Sequence, residues 1–138
     1  MSHFSEMQCK ALTKNEGDLI ASLKAQFGED SVEVHDKAQK LTGYDGAANK
    51  QANIIIRKDN INRVLGVHGW NDVGFERKED GTYALHYDQA DLPEKVRQKI
   101  FQDYAERVAS RKLKAQGYTL KRSVEQNGHV VIKATKYE

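Results

Sequence analysis

The chain has 138 residues, of which 30% are charged and 38% hydrophobic, with a single proline and a formal net charge of +2. That balance suits one domain with a core of its own and excludes a disordered chain. No apolar run approaches the ~20 residues of a membrane span, and one cysteine excludes both an intramolecular disulfide and a multi-cysteine zinc site.

The charge is unevenly placed. Residues 1–91 hold 11 Lys/Arg against 15 Asp/Glu, and residues 92–138 hold 11 against 5. Such asymmetry signals either an anionic partner or complementarity between two halves of one fold. The opening Met1-Ser2-His3-Phe4-Ser5-Glu6 lacks the charged and apolar regions of a secretory signal. A reducing cytosol is the expected compartment, or the plastid stroma for a plastid-encoded chain.

In chain order, Phe4–Leu12 reads as a first strand. Asn15 stands where a helix cap would, and Leu19, Ile20, Leu23 and Phe27 then form an apolar stripe that Gly28 stops. A short strand is expected at Ser31–His35, turn chemistry at Leu41–Gly46, and the most apolar strand at Ala52–Arg57. Between Lys58 and Asn71, Ile61, Val64, Leu65 and Val67 fit either an irregular strand or a short helical turn.

Two β-hairpins follow, and their registers can be argued from the buried face. A two-residue Asp80-Gly81 loop would set Phe75 opposite His86 and split the apolar residues between faces. A three-residue Glu79-Asp80-Gly81 loop pairs Phe75 with Leu85 and Val73 with Tyr87, making one face continuously apolar, with Gly81 in the left-handed position. The same test favours Gln126-Asn127-Gly128 in the second hairpin, pairing Val124 with Val130, Leu120 with Ala134 and Arg122 with Ile132. A two-residue loop there would instead pair Val124 with Val131.

A long helix lies between the hairpins. Asp91 and Glu94 resemble a capping box, Pro93 sits in the first turn, and Val96, Ile100, Tyr104 and Val108 recur every fourth residue. Gly117 ends the helix after Arg111, Lys112 and Lys114. The expected fold is a single α+β domain, a mainly antiparallel sheet with two helices packed on one face.

Several blocks carry a resemblance: Met1–Ser5, Gly43-Tyr44-Asp45-Gly46 leading into Ala52–Arg57, Val73-Gly74-Phe75 with Asp80–Leu85, and Gln116-Gly117-Tyr118. Their order is similar to the hypothetical chloroplast reading frame thirty-five family, a domain of unknown function from cyanobacteria and some algal plastids. The chain departs from that pattern in a longer 58–72 segment and in lacking a tryptophan-rich stretch at Tyr87–Asp91. The resemblance implies a soluble accessory protein and supplies no catalytic residues.

The reactive residue types form no recognised constellation. His3, His35, His68, His86 and His129 show no ligand spacing, so no metal and no cofactor are expected. Cys9 has one lysine beside it and reads as an inert thiol. Gly66-Val67-His68-Gly69 fits no phosphate-binding loop. The best candidate ligand surface combines Tyr44 and Asp45 with His68, Trp70 and Asp72, two loops rich in glycine, aromatic and polar groups. Against it stands Trp70 as a plug at the end of the core. A basic alternative draws on Arg107, Arg111, Lys114, Lys121 and Arg122, cations that could follow a nucleic-acid backbone, or simply coat a solvated helix face.

The leading expectation is therefore a non-enzymatic accessory or adaptor protein working through a protein partner or small ligand. An RNA- or DNA-binding module comes second. An enzyme using His68, Asp72 and Tyr44 comes third.

Overall fold

The computed structural model describes residues 4–43 and 49–136. The fold is α+β with a mainly antiparallel sheet, and its contacts group the chain into two compact units, Met1–Tyr104 and Ala105–Glu138. Three α-helices are present among the described residues, where two were expected.

The first unit is built on a five-stranded antiparallel sheet. Its strands are β1 (Phe4–Leu12), β2 (Glu33–Lys40), β3 (Gln51–Ile56), β4 (Val73–Arg77) and β5 (Thr82–Asp88), ordered β1-β5-β4-β3-β2. The first hairpin adopts the register that the apolar face demands. Phe75 pairs with Leu85, Lys78 and Thr82 close a three-residue loop, and Gly81 takes φ +85°. Phe75, Tyr83 and Leu85 are thereby fully buried together. Phe75 meets Tyr83 and Phe101 edge-on at 6.5 and 6.4 Å, the geometry ring quadrupoles favour.

Helix α1 (Glu16–Phe27) buries Leu19, Leu23 and Phe27, with Ile20 only half-buried. Asn15 occupies the cap position without capping by its side chain. Its amide donates to the Tyr104 hydroxyl at 3.3 Å, and that same hydroxyl accepts the Leu12 backbone N–H at 3.0 Å. The long helix, α3 (Glu94–Ala115), begins on the Pro93 carbonyl, which accepts from Val96 and Arg97. The Asp91 carboxylate expected to open this helix instead accepts from Asn71. Ser22 donates to the Ile100 carbonyl at 2.8 Å, fastening α1 to the first part of α3. No helix among the described residues is long and apolar enough to cross a membrane.

The segment after β3 is the third helix, α2 (Lys58–Leu65), stopped by Gly66 at φ +68°. It buries only Ile61, with Leu65 half-buried and Val64 exposed. Strand β2 also runs further than expected, to Lys40. Its ladder with β3 is broken, the residues from His35 to Ala38 standing against the single Asn53. The Asn53 amide fills the break by donating to the His35 and Asp36 carbonyls at 3.2 and 3.1 Å, while its oxygen accepts the Arg77 N–H at 3.0 Å. A buried polar residue inside an apolar strand thus satisfies backbone groups that a bulge would strand.

On the sheet face carrying Ala84 and His86, Gly74 supports a small apolar cluster of Leu41, Ala52 and Ile55. A Cβ at Gly74 would lie 2.5 Å from the Ala52 methyl and 2.9 Å from Leu41 Cδ2, so only glycine lets the strand after β2 close down there.

The second unit holds the end of α3 and the hairpin of β6 (Tyr118–Val124) and β7 (Val130–Lys136), paired Val124–Val130, Leu120–Ala134 and Arg122–Ile132 as the three-residue loop requires. Leu120 and Ile132 are half-buried, while Val124 and Val131 are exposed.

Ile55 and Ile100 are both buried to within 1% of complete. Truncating either to alanine should cost about 2–5 kcal/mol, measurable as a lower urea midpoint with an unchanged slope.

Candidate functional site

The loop candidate divides into a buried anchor and an exposed tip. Asp72, just before β4, is 0% exposed and its carboxylate takes four donors. These are Thr42 N at 2.7 Å, Thr42 Oγ1 at 2.6 Å, Arg57 Nη1 at 2.9 Å and Lys58 N at 2.8 Å. The last of these caps α2 from a distance, because Arg57 at the cap position offers no side-chain bond of its own. Asp72 N donates in return to the Thr42 carbonyl. Asp72 is therefore an anchor that holds two loops together.

Arg57 carries the anchor to the sheet edge. It grips Glu33 with two hydrogen bonds, Nε to Oε2 at 2.8 Å and Nη2 to Oε1 at 3.1 Å. Glu33 Oε1 also lies 2.9 Å from His35 Nε2. The Arg57 hydrogen bond, opposed by partial burial and aided by His35, holds the Glu33 carboxyl below the usual carboxylate range.

Residues on both sides of Trp70 are immobilised. Asn62 brackets Gly69, accepting its N–H at 2.8 Å and donating to its carbonyl at 3.0 Å. A Cβ at Gly69 would lie 2.4 Å from the Asp91 carboxylate. Asn71 donates from its backbone to Asp91, and from its side chain to Asp88 and Asp91, at 3.3–3.4 Å. Between these clamps Trp70 is 63% exposed, so it does not plug the core. His68 is exposed on the same loop. Gly43 packs on the Trp70 carbonyl and Asn71, which brings the ends of the two candidate loops together. Tyr44 and Asp45 lie outside the described residues.

The basic candidate splits in the second unit. Arg122 Nε is bonded to Glu106, joining one strand face to the helix. Lys121, on the opposite face, stands across the ladder from Lys133. Arg111 and Lys114 are exposed and Arg107 half-buried. Cys9 is buried, with its thiol on the Tyr83 carbonyl and its pKa pushed up by that burial, as suits an inert thiol.

A further cluster escaped the sequence reading. On the Ala84 face of the sheet, His86 is 1% exposed and its Nε2 lies 2.9 Å from Glu76 Oε1. Glu6 pairs with His86 in the ladder, and Lys78 reaches both Glu6 and Glu76. Burial raises the Glu76 pKa, but its bonds to His86 and Lys78 outweigh that and keep it low. The signal for half of this was available, since the three-residue register places Glu76 and His86 diagonally on one face. The position of Glu6 depends on strand order.

A family model described as a protein of unknown function, DUF1257, matches residues 29–132. No curated protein and no solved structure matches the chain.

Because the Glu33 pKa is lowered on folding, its contribution to stability is fully present above its unfolded value, ~4.3, and is lost as pH falls through the lower folded value. Glu33→Gln should therefore flatten the acid limb of a stability-against-pH curve while leaving its shape near neutrality unchanged. For the split basic residues, fluorescence anisotropy with RNA or DNA should give a Kd no better than ~10⁻⁴–10⁻⁶ M at physiological salt, the non-specific range.

Proposed function

The chain belongs to the DUF1257 family, whose function is unknown, and from that premise we propose that it is a non-enzymatic accessory protein that docks a protein partner through the Trp70 loop. The observation that carries this reading is an indole 63% exposed at the tip of a loop clamped on both sides. An aromatic anchor held in place before binding loses little conformational entropy on docking, and tryptophan is among the residues most enriched at the centres of interfaces. His68 on the same loop supplies a polar neighbour. The resemblance to the chloroplast reading frame thirty-five family supports an accessory role in the cytosol or in the plastid stroma. A small ligand in place of a protein partner would use the same loop.

The test compares tagged wild-type protein with Trp70→Ala in capture experiments from the native host, followed by mass spectrometry. A partner held by this anchor should lose at least about 2 kcal/mol, roughly 30-fold in affinity. The melting behaviour should stay within ~0.5 kcal/mol of wild type, as for a surface substitution. A partner captured equally by both proteins would remove Trp70 as the anchor.

A further inference from the structure

We propose that His86, Glu6 and Glu76 form a binding site for a divalent first-row transition-metal ion, Zn²⁺ in the first instance, with His86 Nδ1 and the Glu6 carboxylate as ligands and Glu76 as the group that orients the ring. Three observations lead there, and they concern different atoms.

The first is an orphan. His86 is 1% exposed, and its Nδ1 has no hydrogen-bond partner among the described residues. A buried nitrogen without a partner is costly and calls for an explanation. Its nearest ionic neighbour is Glu6 Oε1 at 4.0 Å, too far for a hydrogen bond. Two ligands ~2.1 Å from a tetrahedral zinc stand about 3.4 Å apart, so a closure of about 0.6 Å would bring both into the coordination sphere. Glu6 can supply that movement, because its side chain is 44% exposed and lies on the edge strand β1.

The second is the other ring nitrogen. Nε2 lies 2.9 Å from Glu76 Oε1. A hydrogen bond donated from Nε2 to that carboxylate leaves a lone pair on Nδ1, 4.0 Å from Glu6 Oε1. Histidines that bind metals almost always give their second N–H to a carboxylate, carbonyl or water, which fixes the tautomer and raises ligand basicity. Ligand atoms from Glu6, Glu76 and His86 all fall within 4.8 Å of one another.

The third is the demand for positive charge. Lys78 Nζ lies 3.2 Å from Glu76 Oε1 and 3.5 Å from Glu6 Oε1, and Lys50 Nζ is 4.0 Å from Glu6 Oε2. An ammonium already stands between the two carboxylates. Lys78 is 40% exposed on a flexible stem, so it can swing aside for an ion that also satisfies Nδ1. One imidazole nitrogen with one carboxylate oxygen selects Zn²⁺ and its transition-metal neighbours over Mg²⁺ or Ca²⁺, which prefer oxygen alone. Glu6 and Lys78 also line an open groove of about 610 Å³ with Gln8, Asp80 and Thr82, from which water can reach the Glu6 side of the ion.

The test is calorimetric titration of the full chain with ZnCl₂ and MgCl₂, with the ¹⁵N resonances of the His86 ring followed in parallel. Zn²⁺ should bind and shift Nδ1 of His86, and Mg²⁺ should not compete. Glu6→Gln and His86→Gln should each weaken the site, and Glu76→Gln should weaken it about 10–100-fold. Lys78→Met should tighten it by removing the competing cation, a response that adventitious surface histidines would not show. Glu6→Gln keeps the test decisive if His86→Gln does not fold, because Glu6 is a surface residue. An unmoved His86 resonance, Zn²⁺ affinity equal in Glu6→Gln and wild type, equal binding of Mg²⁺, or no gain in Lys78→Met would each overturn the proposal.

Discussion

The arrangement of the loops depends on one buried carboxylate. Asp72 gathers donors from Thr42, Arg57 and Lys58, which belong to the end of the β2 connection, the end of β3 and the start of α2. Ionised carboxylates are expensive to bury unless every oxygen lone pair is answered, and breaking such a site commonly costs ~3–5 kcal/mol. Donors at 2.6–2.9 Å answer it here. Through Arg57 the same charge reaches Glu33 at the sheet edge. Exposure of the Glu33–Arg57 pair makes that outer link weaker than the buried one.

This anchoring has a consequence for the Trp70 loop. Chain connections without regular structure ordinarily sample many conformations, and an exposed indole on one would have to be ordered on binding. Asn62, Asn71 and Asp72 remove most of that freedom in advance. Asp88 and Asp91 take part by accepting from Asn71, so two further buried acids serve the loop. The glycine at 69 permits this closeness, since any side chain there would enter the Asp91 carboxylate.

The two faces of the five-stranded sheet have different chemistry. One buries Phe75, Tyr83 and Leu85 beside α3, where aromatic edges interlock. The other carries Gly74 and its apolar cluster beside the charged Glu6, Glu76 and Lys78 and the imidazole of His86. Antiparallel sheets often leave one face to solvent, and there charged side chains are inexpensive. His86 is the exception, because its neighbours cover it almost completely. Glu6 and Glu76 owe their closeness to strands separated by some 70 residues in sequence.

Local chemistry was enough to determine much of this protein. Alternation plus the need for one apolar face set both hairpin registers, and the glycines at 81 and 128 took the positive φ that such loops require. Spacing of Leu19, Leu23 and Phe27, and of Ile100 and Tyr104, placed the buried sides of α1 and α3. Helix α2 stayed open between an irregular strand and a helical turn, because its apolar residues are few and its capping carboxylate lies fourteen residues beyond its start. The role of Asn53 was equally hidden, since it answers a bulge in the neighbouring strand. Only the tertiary structure decided that Asp72 is buried, that Trp70 is exposed, and that Glu6 comes beside His86. The physical reason is range. Turn chemistry and periodicity act over a few residues, whereas strand order and the burial of a lone polar group follow from contacts between segments that no local pattern records.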